Sequence, residues 1–121
     1  MTPLGATSAS LVEPGTSALS AQRIASALHI GIAELARLAG VSRATLSRMP
    51  VTSAADRALS PIARILAMAG EMTGSVERAS IWFKHQPLPG WGGATSRDLV
   101  AEGKASSVLA YLEATRAGVY S

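Results

Sequence analysis

Arginine is the residue type in this sequence whose placement points most directly to a chemistry. Between residues 20 and 64 the chain holds Arg23, Arg37, Arg43, Arg48, Arg57 and Arg64 against only Glu34 and Asp56, and no lysine. A guanidinium is a planar, permanently charged fork of donors that fits a phosphate or a guanine edge two bonds at a time. From 65 to 121, five basic side chains face five acidic ones, and Glu13 stands alone near the start. The net charge of +3 therefore originates in one stretch of the chain, and that stretch suits nucleic acid.

Other reactive residue types are sparse. His29 and His85 are the two histidines and fall in different segments, with no cysteine and no carboxylate pair at ligand spacing. Gly90-Trp91-Gly92-Gly93 is not a phosphate loop, because no strand precedes it and no Gly-Lys-Ser/Thr follows. Glu77, Asp98 and Glu113 are single carboxylates that helix faces and caps explain. The expectation is a protein without catalysis, metal or cofactor. Absence of cysteine also fits a reducing cytoplasm, no apolar run reaches the ~20 residues of a membrane span, and residues 1–19 do not read as a signal peptide.

The elements that would position the arginines are helices. Residues 1–19 are rich in Thr, Ser, Gly, Pro and Ala and lack periodicity, which predicts a flexible arm. Ser20 is a suitable cap for a helix to about Leu28, with Ile24, Ala25 and Leu28 on one face. After Gly31, Ile32, Leu35, Ala36 and Ala39 continue at helical spacing as far as Gly40. Ser42 caps a third helix that must end near Met49, since Pro50 follows. A longer helical stretch begins after Ser53. Ser60-Pro61 inside it predicts a kink or a fresh start, and Gly70 to Gly74 predicts a loosened segment. Ser75 opens a helix carrying Val76, Ala79, Trp82 and Phe83. Pro87 to Gly93 is irregular. Thr95 and Asp98 have capping-box spacing, leading a short helix with Leu99 and Val100 inward. A last helix from about Ser106 places Val108, Leu109 and Leu112 on the core and stops at Gly118. The fold class is all-α. Its parts are an arm (1–19), a DNA-binding region (20–52) and a C-terminal helical lobe (53–121).

Glu34 to Arg48 looks like a helix-turn-helix. Ala36 is small where two helices cross, Gly40 makes the turn, and Val41 and Leu46 anchor the second helix from within. Ser42, Arg43, Ala44, Thr45, Ser47 and Arg48 are then the candidate DNA-binding residues. A plain helical hairpin can also show the small residue and the glycine, and it less often adds Gly-Val-Ser with two outward arginines.

The C-terminal half carries an ordered set of features. Trp82-Phe83-Lys84-His85 ends a helix, Gln86-Pro87-Leu88-Pro89 forms a loop, and Gly90-Trp91-Gly92-Gly93 forms a turn. Thr95-Ser96-Arg97-Asp98-Leu99-Val100 begins a capped helix, and Gly103, Val108, Leu112 and Gly118 follow. This order resembles the Xre/MbcA/ParS antitoxin toxin-binding domain, over about Ser53 to Ser121. The family often has Pro after the Thr of the capped helix, where this chain has Ser96.

The resemblance implies a type II antitoxin. Its partner would be a RES-domain toxin that consumes or transfers from NAD, its C-terminal segment would cover the toxin's active-site cleft, and the pair would repress its own operon. A homodimer inside a larger toxin–antitoxin complex is the expected assembly. The tail Gly118-Val119-Tyr120-Ser121 offers a carboxylate and a flat ring, a crude mimic of a nucleotide, with Lys84, Trp91 and Arg116 flanking it. These seven residues are the candidate toxin-binding set. For the aromatics, packing is the competing reading: Trp82 and Phe83 point about 100° apart on a helix, so only one is central to the core, and Trp91 is either a lid or an anchor for a partner. The alternative to an antitoxin is a free-standing helix-turn-helix repressor that dimerises through its C-terminal half.

Overall fold

A computed structural model of the chain describes residues 11–12 and 18–118. Among these, seven helices follow in order: α1 (Ala21–Leu28), α2 (Ile32–Ala39), α3 (Arg43–Ser47), α4 (Ser53–Thr73), α5 (Val76–His85), α6 (Ser96–Ala101) and α7 (Ala105–Arg116). No strand is present among the described residues, only the isolated bridges Val12–Leu19 and Pro87–Thr95. The all-α expectation holds. No described helix is long and apolar enough to cross a membrane.

Side-chain caps start most helices where the sequence places them. The hydroxyls of Ser20, Ser42, Thr52, Ser75 and Thr95 each accept the backbone N–H three residues on, which satisfies a donor that has no partner inside the helix. Gly40 ends α2 at φ 73°, a conformation that would cost a residue with a side chain about 1 kcal/mol or more. His29 ends α1 in the same left-handed region at φ 56°.

The 21-residue α4 is the spine, about 31 Å long at 1.5 Å per residue. Against it pack α5 and α7 on the C-terminal side and α2 and α3 on the N-terminal side, while α1 packs on α5 and α6 on α2. One continuous core results, running from Leu35, Leu38 and Leu46 through Leu59, Ile62, Ile65 and Leu66 to Phe83, Leu99, Val108 and Leu112.

Two local expectations are corrected. Ser60-Pro61 does not interrupt the helix, since α4 runs unbroken through Pro61. A proline there removes one backbone donor, but Leu59, Ile62, Ile65 and Leu66 are buried on both sides of it, and that burial favours one continuous helix. The segment from Gly70 to Gly74 is not loosened either. Gly70 is a buried helical residue, and termination waits for Gly74 at φ 101°, whose N–H donates to the Gly70 carbonyl at 2.9 Å. Of the segment read as an arm, Leu11 is buried against the core, and its carbonyl accepts the Ser20 N–H at 2.7 Å.

Candidate functional site

The N-terminal face is built by α2 and α3. Leu35, Ala36 and Leu38 are buried from α2 and Leu46 from α3, so the two helices are locked by one side each. Arg43, Ala44, Ser47 and Arg48 are exposed on the other side, with Thr45 half-buried. The Ser42 hydroxyl accepts the Thr45 N–H at 3.1 Å and lies 2.9 Å from the Thr45 hydroxyl, which engages both side chains in the cap. At five residues, α3 is short; its two arginines stand at its first residue and its C-cap. Within the basic stretch, Arg37 pairs with Glu34 at 3.6 Å and Arg64 with Glu113 at 3.4 Å. Arg43, Arg48 and Arg57 make no ion pair with a described residue. Around α3 and the first two turns of α4, Arg43, Arg48 and Arg57 are thus a cationic surface open to phosphates.

The C-terminal face is built by α5, α6, α7 and the irregular segment 86–95. Phe83 is fully buried and Trp82 half-buried, as their 100° offset requires. Trp82 stacks on Tyr111 of α7, with centroids 6.5 Å apart and planes 16° from parallel, a contact between residues 29 apart in sequence that periodicity does not reveal. Thr95 and Asp98 form the full reciprocal capping box. The Thr95 backbone N–H donates to the Asp98 carboxylate at 3.0 Å and holds its pKa below the ordinary value of 3.8; the Thr95 side chain adds to this, burial opposes it less strongly, and the Arg97 charge contributes least.

The predicted toxin-binding residues are dispersed. Trp91 is 38% exposed on its glycine turn, with the Lys104 ammonium 5.5 Å from its ring centroid. Lys84 is half-buried in the last turn of α5. Arg116, at the far end of α7, pairs with Glu71 of α4 at 3.5 Å. Lys104 and Arg116 are the N-cap and last residue of one helix, about 18 Å apart along its axis, so the structure does not gather Trp91 and Arg116 into one cluster. Gly118 follows α7 at φ 86°. Val119, Tyr120 and Ser121 lie outside the described residues. Sequence reasoning did not single out Lys104, nor the pair Glu34–Arg97 that joins the two faces at 3.4 Å. Among the described residues no cluster of His, Asp or Glu is arranged to hold a metal ion.

A short-turned helix pair presenting arginines, followed by a helical lobe with a capped helix and a glycine turn, defines a helix-turn-helix regulator with a second binding lobe. Residues 8–64 match the family described as antitoxin Xre-like helix-turn-helix domain, and residues 68–118 match the antitoxin Xre/MbcA/ParS C-terminal toxin-binding domain. The chain belongs to the Xre/MbcA/ParS-like antitoxins. No curated protein and no solved structure matches it. The junction between the two matched regions, residues 65–67, falls inside α4, so the spine serves both. The protein is therefore an antitoxin with a DNA-binding motif and a toxin-binding domain, and both domains are those of a regulatory protein.

Proposed function

We propose that this antitoxin inhibits a RES-type, NAD-consuming toxin in the cytoplasm by laying its C-terminal segment over the active-site cleft. As a homodimer, it would also repress its own operon through α3. The observation that carries the reading is the match of residues 68–118 to the toxin-binding domain, in a chain whose segment 82–100 resembles the antitoxins that face RES toxins. A toxin that binds NAD must offer arginines and backbone N–H groups to a pyrophosphate, and an aromatic segment entering that cleft would compete with the dinucleotide. On the DNA side, a dimer places its two α3 helices in successive major grooves, about 34 Å apart.

The test is co-expression with the product of the adjacent reading frame, co-purification, and an assay of NAD consumption with and without the antitoxin. The expected result is a stable complex whose NAD consumption is suppressed. A partner that leaves NAD untouched overturns the RES assignment. A chain that binds its promoter yet retains no toxin favours the free-standing repressor.

A further inference from the structure

We propose that Trp91 and Lys104 form a fixed anchor that holds the toxin at the end of α7 remote from Gly118, making toxin capture and toxin blocking separate functions of separate surfaces. The identity of the partner rests on the antitoxin reading above; the location of the anchor rests on the following geometry.

Trp91 is carried by a turn that is irregular but tied down. The Leu88 N–H donates to the Ala94 carbonyl at 2.9 Å and the Ala94 N–H to the Trp91 carbonyl at 3.1 Å. Leu88 is buried beneath the turn at 3% exposure, and Pro87 bridges to Thr95, the cap of α6. A tryptophan on so constrained a backbone presents its ring with little conformational entropy left to lose on binding. Among the described residues of the C-terminal lobe, Trp91 is the exposed large apolar side chain set on such a turn; Met72 and Ile81 lie on helices.

The surroundings of the ring are open in a way packing does not require. Gly90, Gly92 and Gly93 have φ of 85°, 63° and 93°, and Gly103, next to Lys104, has φ 80°. A Cβ built on any of these four meets no atom within 4 Å. The glycines therefore serve the backbone conformation and do not admit a neighbouring helix. They leave bare main chain in two separate turns that meet where Lys104 lies over Trp91, so a partner can approach that main chain closely. Lys104 is itself half-exposed and 3.4 Å from Glu102. Its ammonium lies over the indole ring, 5.5 Å from the centroid, with donors left for a second carboxylate.

The partner surface that fits is an apolar pocket for the indole edge, with an acidic side chain on the rim facing Lys104. Tryptophan at a fixed, partly desolvated position is a residue type on which binding energy concentrates. An anchor at the Lys104 end of α7 and a blocking segment that follows its other end at Arg116, about 18 Å along the axis, make the second attachment an intramolecular event. The anchor then raises the local concentration of the blocking segment.

The experiment measures the Kd of the full-length antitoxin for its cognate toxin, together with residual toxin activity at saturating antitoxin. Trp91→Ala and Lys104→Glu are the test variants, and Lys104→Glu retains the Trp91 ring should Trp91→Ala disturb the turn. Both should weaken binding about 10-fold or more while inhibition at saturation stays complete, with unchanged melting and operator binding. Wild-type affinity in both variants, with melting unchanged, overturns the anchor. Loss of inhibition at saturation in the Lys104→Glu complex also overturns it, because it would place the block itself at this turn. Because Kd is read independently of the toxin's reaction, a toxin that does not consume NAD removes the RES reading and leaves the anchor test intact.

Discussion

Glu34 of α2 and Arg97 of α6 meet across the junction of the two lobes, with the Arg97 Nη1 3.4 Å from the Glu34 Oε2. Both side chains are about one-third exposed, at 33% for Arg97 and 29% for Glu34, and the same Glu34 oxygen also faces Arg37 at 3.6 Å. The helix that seats the recognition helix is thereby tied to the capped helix of the toxin-binding domain. Solvent screening keeps such a pair modest. A double-mutant cycle of Glu34→Ala and Arg97→Ala is expected to give a coupling of ~0.5–1 kcal/mol in urea unfolding, shrinking in 1 M salt. A coupling of zero at low salt would leave the lobes joined by apolar packing alone.

Packing energy should appear most clearly at Leu112, which is 2% exposed on the inner side of α7. Replacing it with alanine removes buried methyl groups and leaves a cavity against α4, so Leu112→Ala should destabilise the protein by ~2–5 kcal/mol. A loss below ~0.5 kcal/mol, the size of an ordinary surface change, would contradict the facing of α7.

Asp98 gives a pH prediction of definite sign. Its folded-state pKa lies below 3.8 because the Thr95 N–H, then the Thr95 side chain and Arg97, stabilise the carboxylate. A depressed carboxyl pKa stabilises the fold at pH values above the unfolded pKa. That contribution is lost as pH falls from about 3.8 through the lower folded value. Asp98→Asn should therefore be less stable than wild type at pH 7, and the gap should narrow below pH ~4. Parallel unfolding curves with a constant gap from pH 7 to pH 3 would assign the effect to something other than the carboxylate's charge.

What was legible in the sequence was mainly what neighbouring residues decide. Ser20, Ser42, Ser75 and Thr95 announce helix starts because a cap bonds three residues away, and Gly40 announces the turn because left-handed backbone excludes most side chains. Pro61 and Gly70 misled because tertiary burial of Leu59, Ile62 and Leu66 overrides a local breaker whose own penalty is ~1–3 kcal/mol. Leu11 carried no periodic signal, since a single inserted residue has no period. Contacts such as Glu34–Arg97, 63 residues apart, and Trp82–Tyr111 needed the fold before they could be seen. So did the proximity of Lys104 to Trp91, which turned a lone aromatic in a loop into part of a surface.

The recognition face predicts a salt-dependent operator interaction. Arg43 and Arg48 are exposed at the two ends of α3, and removing one arginine–phosphate pairing should make the slope of log K against log salt shallower by about one. Arg43→Ala should cost ~1–3 kcal/mol if the guanidinium pairs with a guanine, without loss of toxin inhibition. Equal promoter binding by wild type and an Arg43→Ala, Arg48→Ala double variant would remove α3 from the interface. The DNA-facing surface would then shift toward Arg57 of α4, an exposed arginine of the stretch that pairs with no described carboxylate.

The blocking segment makes the sharpest prediction. Val108 and Leu112 are the buried residues of α7, and Gly118 turns the chain at φ 86° after the helix has ended. Deleting Val119 to Ser121 thus removes none of the described core, and melting temperature and operator binding should stay near wild type. Toxin inhibition should fall steeply, because Tyr120 is the aromatic proposed to occupy the dinucleotide cleft. With Trp91 and Lys104 intact, the truncated antitoxin should still co-purify with the toxin as an active complex. Kd and NAD turnover measured on the same preparation separate the outcomes. A lowered melting temperature would mean that Val119 and Tyr120 pack on α7, and a truncated chain that inhibits fully would move the blocking surface to the region between Trp82 and Trp91.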